Sequence, residues 1–274
     1  MAKRLQGRWG VGEVSAAPVI LTREDELVIL TLNAPARRNA ISTEMRIALR
    51  EALRDALADE GCRAIVLTGA EGVFSSGADV DQMQSGDAID MDRVRMRYLV
   101  LHDAIKLMVE GGKPIVAAVE GFAMGAGLSL ACASDFMVVA QGAKLGAAFG
   151  RVGLIGDCGL LWTLPKRIGE ARTKDFMFGG RTLTGVEAFD LGMADQLVGQ
   201  GEALAAAKER ARSYAAVGPL TIAETKTLLA TPFSSLTAFL AAESGAQDRM
   251  VQSADHEEGR RAFAEKRPPR FRGR

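Results

Sequence analysis

The sequence is short of the residues that most readily announce a chemistry. Among 274 residues there are three cysteines, Cys62, Cys132 and Cys158, and two histidines, His102 and His256. Three scattered thiols build no disulfide framework and show no metal-ligand spacing. The same scarcity argues against a zinc site, and no metal is expected. A reducing, cytoplasmic setting fits this cysteine usage. No run approaches the ~20 apolar residues that span a bilayer. The first residues carry Lys3, Arg4 and Arg8 without an apolar stretch behind them, so they do not read as a secretory signal. Neither sign of charge is in excess, with 34 Lys and Arg against 34 Asp and Glu. That balance gives no argument for nucleic acid or a membrane as partner.

What is present is an ordinary globular composition, 48% hydrophobic and 25% charged, enough to bury a real core. Residues 28–32 and 64–68 read as short apolar strands, as do 113–119 and 135–140. Between the first two, Ser42 is a plausible N-cap for a helix with Met45, Leu49, Leu53 and Leu57 on one face. Strand and helix patterns that alternate in this way predict an α/β fold with crossover connections. Beyond residue 202 the patterns are helical and alanine-rich. The expected organisation is a flexible extension over 1–17, a core over 18–201 and a helical region over 202–274.

Two segments concentrate small residues after strands. One is Gly72-Val-Phe-Ser-Ser-Gly-Ala-Asp79. The other is Glu120-Gly-Phe-Ala-Met-Gly-Ala-Gly-Leu-Ser129. Each reads as a strand, a glycine turn and a helix start. There a ligand can approach unpaired backbone N–H groups, which favour negative charge. A pair of tight turns would explain each loop alone. The GxGxxG and GxxxxGK[ST] phosphate fingerprints are absent.

Taken together, the motifs resemble a family. In order they are Asn39-Ala-Ile, Phe74-Ser-Ser-Gly-Ala-Asp-Val, Gly121-Phe-Ala-Met-Gly-Ala-Gly-Leu, Ser134-Asp135, Gly153-Leu-Ile-Gly-Asp157, Leu183-Thr-Gly-Val-Glu-Ala and Leu191-Gly-Met-Ala. From about residue 18 onward the chain resembles the crotonase (enoyl-CoA hydratase/isomerase) superfamily. The resemblance implies a spiral of ββα units followed by helices that build a homotrimer or a dimer of trimers. It implies an acyl-CoA substrate, with coenzyme A as part of the substrate and no separate cofactor, in fatty acid metabolism or a related acyl-thioester reaction. It carries the oxyanion hole onto the backbone N–H groups of Ala78 and Ala126. Ser76, Gly77, Asp79 and Gly125 would bind the acyl-CoA substrate beside it. Charge that develops on a thioester oxygen during enolate formation needs such donors, each typically worth ~2.7–4 kcal/mol.

The family's hydratases use two glutamates, and the matching positions here are Ser129 and Phe149. Neither can activate water as a carboxylate would. Isomerases and a dehalogenase of the superfamily place an aspartate where this chain has Asp157. Its sequence neighbours Leu154, Ile155, Leu160 and Trp162 are apolar, and an apolar pocket would raise its pKa toward that of a useful base. Asp157 is thus expected to move a proton along the acyl chain and shift a double bond. The plainer alternative is an N-cap on a helix beginning near Cys158. A hydratase with another water-activating arrangement and a non-catalytic acyl-CoA-binding protein stand as the other readings.

The remaining candidates have plain readings beside the functional ones. Arg37 and Arg38 suit phosphates of the CoA nucleotide or a solvated loop. Phe149 would shape the acyl pocket. Phe263 and Lys266 match the family's closing helix over the adenine. Arg267, Arg270, Arg272 and Arg274 would aid phosphate capture or form a solvated tail. Asp79 is expected to cap a helix, Asp135 to be structural, Ser129 to be packed, His102 to be half-buried in a helix, and Cys158 to lack a histidine partner. Residues 81–97 are expected to border the acyl pocket.

Overall fold

The computed structural model describes residues 17–79 and 91–274. The chain opens with β1 (Val19–Glu24) and β2 (Leu27–Leu32), then α1 (Thr43–Ala58), β3 (Ala64–Gly69) and α2 (Met91–Glu110). Next come β4 (Ile115–Val119), β5 (Phe122–Met124), α3 (Ala126–Ala133), β6 (Phe136–Ala140) and β7 (Lys144–Gly146). They are followed by α4 (Leu160–Ile168), α5 (Glu170–Gly179), β8 (Thr182–Thr184), α6 (Gly185–Asp190) and β9 (Gln196–Val198). Four helices end the chain: α7 (Ala203–Ala215), α8 (Pro219–Ala230), α9 (Leu236–Val251) and α10 (Ala254–Ala264).

The strands form two sheets. The larger has the order β1-β2-β3-β4-β6-β9, parallel from β2 onward with β1 antiparallel at its edge. The smaller is β5-β7-β8. The α/β class and the four strands expected from the sequence are present. The three-residue strands β5, β7, β8 and β9 are too short for a periodic signal, and β1, exposed along most of its length, has a weak one.

Burial on both faces explains the apolar strands. Val28, Leu30, Leu32, Ile65, Leu67, Ile115, Ala117 and Val119 face the main core with α1 and α3. Leu27, Ile29, Ala64, Val66, Val116, Ala118 and Val138 face the other way. That second face is covered by Ala203, Ala207, Ala211 and Ala215 of α7. Alanines four apart form one helix stripe and bring the backbone close to the sheet. Glu120, just after β4, fixes the start of α7 by accepting from the backbone N–H groups of Gly201 (2.9 Å) and Ala203 (3.1 Å). The structure therefore places α7 with the sheet, although it lies inside the range expected for the appended helices. Helix α8 packs on the core near α2, where buried Lys226 donates to the Met108 carbonyl at 2.8 Å.

Ser42 caps α1 as expected, accepting from the Met45 N–H at 3.2 Å. Asp135 is structural: it accepts from the Ile115 N–H and pairs with buried Lys226 at 2.6 Å. The basic C-terminal residues do not form a loose tail. The Phe271 ring lies against Gly218 and Gly259, and Arg63 donates to the Phe271 carbonyl at 3.1 Å. Asp255 accepts from the N–H groups of Arg272 and Gly273. Glu258 takes Arg267, Arg261 and the Arg270 N–H. Carboxylates near the start of α10 peg the backbone down, while the side chains of Arg270, Arg272 and Arg274 stay exposed to solvent.

Candidate active site

The two glycine loops lie side by side. Phe74 and Ser75 donate to the carbonyls of Glu120 and Phe122 at 2.9 and 2.7 Å, and Met124 donates back to Ser75 at 3.0 Å. The loops thus run as a short parallel pair, leading Ala78 and Ala126 to the same edge. Gly77 shows how tight the approach is. A Cβ there would fall 2.7 Å from the Met124 carbonyl oxygen and 3.7 Å from the Gly125 Cα. Its φ of +97° also favours glycine.

Asn39 and Ser75 build the scaffold beneath. Buried Asn39 donates to the Ala70 and Val73 carbonyls and accepts from the Ala34 N–H. The Ser75 hydroxyl donates to the Asn39 carbonyl at 2.8 Å and accepts from the Gly77 N–H at 3.1 Å. Ile41 donates to the Gly77 carbonyl at 2.7 Å and pairs with Ala78 as an isolated bridge. No described acceptor takes the Ala78 N–H.

Ala126 opens α3. The helix's first internal bond runs from the Ser129 N–H to the Gly125 carbonyl. The Ala126 N–H therefore precedes the ladder, as the first amides of any helix do, and no side chain caps it. The unusual backbone angle falls on Gly125, at φ +49°, and not on Ala126. Alanine is for this reason as good as glycine at the donor position. The segments that carry the two amides expected to act together thus lie side by side, and each amide is without a described protein acceptor.

Asp157 sits in the turn before α4. Its carbonyl accepts from the Ser129 hydroxyl at 3.0 Å, while the same hydroxyl lies 3.2 Å from the Gly125 carbonyl. Ser129, fully buried, thereby connects the start of α3 to the Asp157 turn. The side chain of Asp157 does not cap a helix. Gly159 holds the cap position of α4 with no side-chain bond, and Leu160 bonds the Asp157 carbonyl instead. Asp157 Oδ1 is enclosed and has no hydrogen-bond partner, a rare condition for a carboxylate.

The apolar pocket expected from Asp157's sequence neighbours is corrected. Leu154 and Ile155 are exposed, the latter at 79%. Trp162 is half exposed and stacks under Lys166 at 4.2 Å. Only Leu160 is buried, because the turn reverses direction at Cys158 and Gly159, both at positive φ. Two ionisable groups act on the Asp157 turn, one adjacent in the chain and one from α1. Cys158, buried beside it, has its thiol pushed up, by burial first and by the Asp157 carboxylate second. Arg46 of α1 is buried, and its guanidinium is pushed down by burial while Cys158 and Asp157 pull it up. Arg46 escaped the sequence reading, although a charged residue three and seven positions before Leu49 and Leu53 already falls on the apolar stripe of α1.

The other candidates separate. Phe149 is buried, its ring 3.8 Å from where a Gly125 Cβ would point, so it stands beside the α3 entrance. Asp79 is buried and pairs with Arg37 at 2.8 Å; the residues it was expected to cap, from 80 onward, lie outside the described ones, as does most of 81–97. Arg38 lies over the Phe122 ring at 5.5 Å. Ser76 donates to the Arg37 carbonyl at 3.1 Å. Phe263, 88% exposed, and Lys266 lie at the end of α10, and no described contact ties them to the glycine loops of the same chain. Among the described residues there is no cluster of three His, Cys, Asp or Glu that would hold a metal, and no helix is long and apolar enough to cross a membrane.

The paired glycine loops on a parallel sheet define a crotonase-type fold. Residues 22–274 match the family model for enoyl-CoA hydratase/isomerase. The chain is 32% identical to the 1,2-epoxyphenylacetyl-CoA isomerase of Escherichia coli, over 92% of this chain and 97% of that protein. It is 33% identical to the carnitinyl-CoA dehydratase of Salmonella arizonae, over 92% and 97%. An enoyl-CoA hydratase structure from Polaromonas sp. JS666 superposes with a TM-score of 0.87 at 33% identity, covering 92% of this chain and 99% of that one. The chain belongs to the enoyl-CoA hydratase/isomerase family of the crotonase superfamily.

Proposed function

We propose that the protein isomerises a double bond in an acyl-CoA thioester. The amides of Ala78 and Ala126 receive the thioester oxygen, and Asp157 carries the proton between carbons of the acyl chain. Oxygen charge rises as the enolate forms, and two preorganised donors favour that state over the ground state. The observation that carries the reading is Asp157 Oδ1, enclosed and without a donor, in a turn joined by Ser129 to the start of α3. An enclosed carboxylate oxygen left without a partner costs stability, and such costs concentrate where a group is needed for chemistry. Ser129 and Phe149 stand where hydratases have glutamates, which disfavours hydration. The Escherichia coli relative is itself named 1,2-epoxyphenylacetyl-CoA isomerase, an isomerase of an acyl-CoA.

Gly77, Gly125 and Phe149 shape the acyl end, with Asp79 and Ser76 holding the Ala78 loop. Arg37, Arg38, Phe263 and Lys266 serve the CoA nucleotide, the last two from a neighbouring copy in a trimer or a dimer of trimers. Exposed Phe178, Leu229, Leu236 and Phe263 supply apolar area for such assembly, which light scattering tests directly. Coenzyme A arrives with the substrate, and no further cofactor is required.

The deciding experiment offers purified protein 3-enoyl-CoA and 2-enoyl-CoA separately. Interconversion of the two without uptake of water is expected, and Asp157→Asn should lower its kcat by ~10²–10⁴. A 3-hydroxyacyl-CoA product would select hydration instead, and tight binding without product would select a carrier. Undiminished isomerisation by Asp157→Asn would remove Asp157 from the mechanism.

A further inference from the structure

We infer that Ser75 is a positioning residue for the oxyanion site: one side chain that sets both the aim of the Ala78 amide and the gap to the start of α3. Its consequence for catalysis rests on the reading of Ala78 and Ala126 as oxyanion donors; the contacts themselves do not.

Ser75 is fully buried between the two glycine loops. Its backbone joins them, donating to the Phe122 carbonyl at 2.7 Å and accepting from the Met124 N–H at 3.0 Å. Its hydroxyl carries one hydrogen, which goes to the Asn39 carbonyl at 2.8 Å and leaves a lone pair for the Gly77 N–H at 3.1 Å. The Gly77 carbonyl is held in turn by the Ile41 N–H at 2.7 Å. Gly77 is thus gripped at both of its polar groups, which pins a φ of +97° that a free glycine would hold only part of the time. That grip aims the donor. The Gly77 carbonyl and the Ala78 N–H belong to one peptide plane, and in a trans peptide they point in opposite directions. With the carbonyl turned to Ile41, the Ala78 N–H faces away from it. The same rule applies at Ala126, where the Gly125 carbonyl takes the Ser129 N–H at 3.0 Å. Ser75 also touches this second segment. A Cβ on Gly127 would fall 2.8 Å from the Ser75 Cβ and 3.0 Å from its hydroxyl and carbonyl oxygens. Gly127 directly follows Ala126, so the first turn of α3 rests on the same residue whose hydroxyl holds Gly77.

Two variants separate the bond from the spacer. Ser75→Ala keeps the Cβ and removes the grip on Gly77. Gly127→Ala keeps the hydroxyl and pushes on the spacer, and it stands in should the first variant fail to fold. The readout is the carbonyl stretch of hexanoyl-CoA, isotope-labelled at its thioester carbonyl carbon and followed by difference infrared spectroscopy on the intact protein. This saturated chain has no double bond to move, so the band reports the donors alone. Binding to the wild type should lower the band from its free position, and each variant should return it part of the way. With 3-enoyl-CoA, Ser75→Ala should lower kcat about fivefold to tenfold and leave KM within about twofold. A bound band that is the same in the wild type and Ser75→Ala makes Ser75 a packing residue and overturns the inference, whatever happens to the melting temperature. An unshifted band in the wild type would remove the oxyanion site, and the inference with it. A band that moves in the variants of a protein that does not isomerise 3-enoyl-CoA sinks the proposed reaction and upholds the positioning role.

Discussion

Gly77 faces the Met124 carbonyl so closely that a Cβ on it would lie 2.7 Å from the oxygen. The carbonyl belongs to backbone and cannot swing aside, and the φ of +97° is strained for any residue with a side chain. Gly77→Ala should therefore push the loops apart where Ala78 and Ala126 present their amides. The expected cost is roughly 1–3 kcal/mol in stability. Turnover should fall about 10²–10³-fold if one donor is lost from its aim. Steady-state kinetics and a melting curve check both. A variant with wild-type turnover would show that the spacing of the loops is not used in catalysis.

Ser129 offers a milder perturbation. Its hydroxyl ties the Gly125 side of α3 to the Asp157 carbonyl, and Ser129→Ala removes the tie while leaving the packing nearly intact. A loss of about 1 kcal/mol in stability is expected. A drop in kcat with KM preserved should accompany it if Asp157 and the Ala78 and Ala126 amides act as proposed, since they would lose their common anchor. Parallel changes in kcat and KM would instead point to a general loosening of the site.

Lys226 tests the junction between the core and α8. Its ammonium is buried and donates to the carbonyls of Met108 and Lys113 and to Asp135. Burial lowers the Lys226 pKa and raises that of Asp135. Lys226→Met would leave the partly exposed Asp135 carboxylate without its cation and should cost about 1–3 kcal/mol. The double variant with Asp135→Asn should recover part of this. Denaturant unfolding measures both, and equal losses in the single and double variants would disprove the coupling.

Glu258 sets an expectation for acid. It accepts from Arg267, Arg261 and the Arg270 N–H, and these bonds, the Arg267 one first, hold its carboxyl well below the usual range. A carboxylate depressed in the folded state stabilises fully above its unfolded pKa, about 4.3 for Glu. That contribution fades as pH falls from there toward the folded value. The melting temperature should thus drop below about pH 4.3, and Glu258→Gln should flatten that part of the curve while lowering stability at neutral pH. Identical acid limbs in the two proteins would mean that the C-terminal strap is not held by this charge.

Much of this was readable in the residue order. β2, β3, β4 and β6 are contiguous apolar runs because both faces of the sheet are covered, one by α7 and the other by α1 and α3. The glycine loops were legible because backbone angles of the Gly77 and Gly125 kind leave few choices of residue. The helical character beyond residue 202 was legible too, but not that α7 would pair with the sheet, since an alanine stripe reads the same on a buried helix and on a projecting one.

The environment of Asp157 shows where such reading stops. Leu154, Ile155 and Trp162 are its neighbours in the chain, yet the reversal at Cys158 and Gly159 turns them outward. The group that bonds the turn is Ser129, 28 positions earlier in the chain. The sequence by itself determined the strands, the two glycine turns and the family, because these follow from local periodicity and from backbone angles that few residues tolerate. Which amides share an edge, and which charge acts on which carboxylate, was decided only by the tertiary structure. Fields and hydrogen bonds depend on distance in space, and packing brings together groups that the chain keeps far apart.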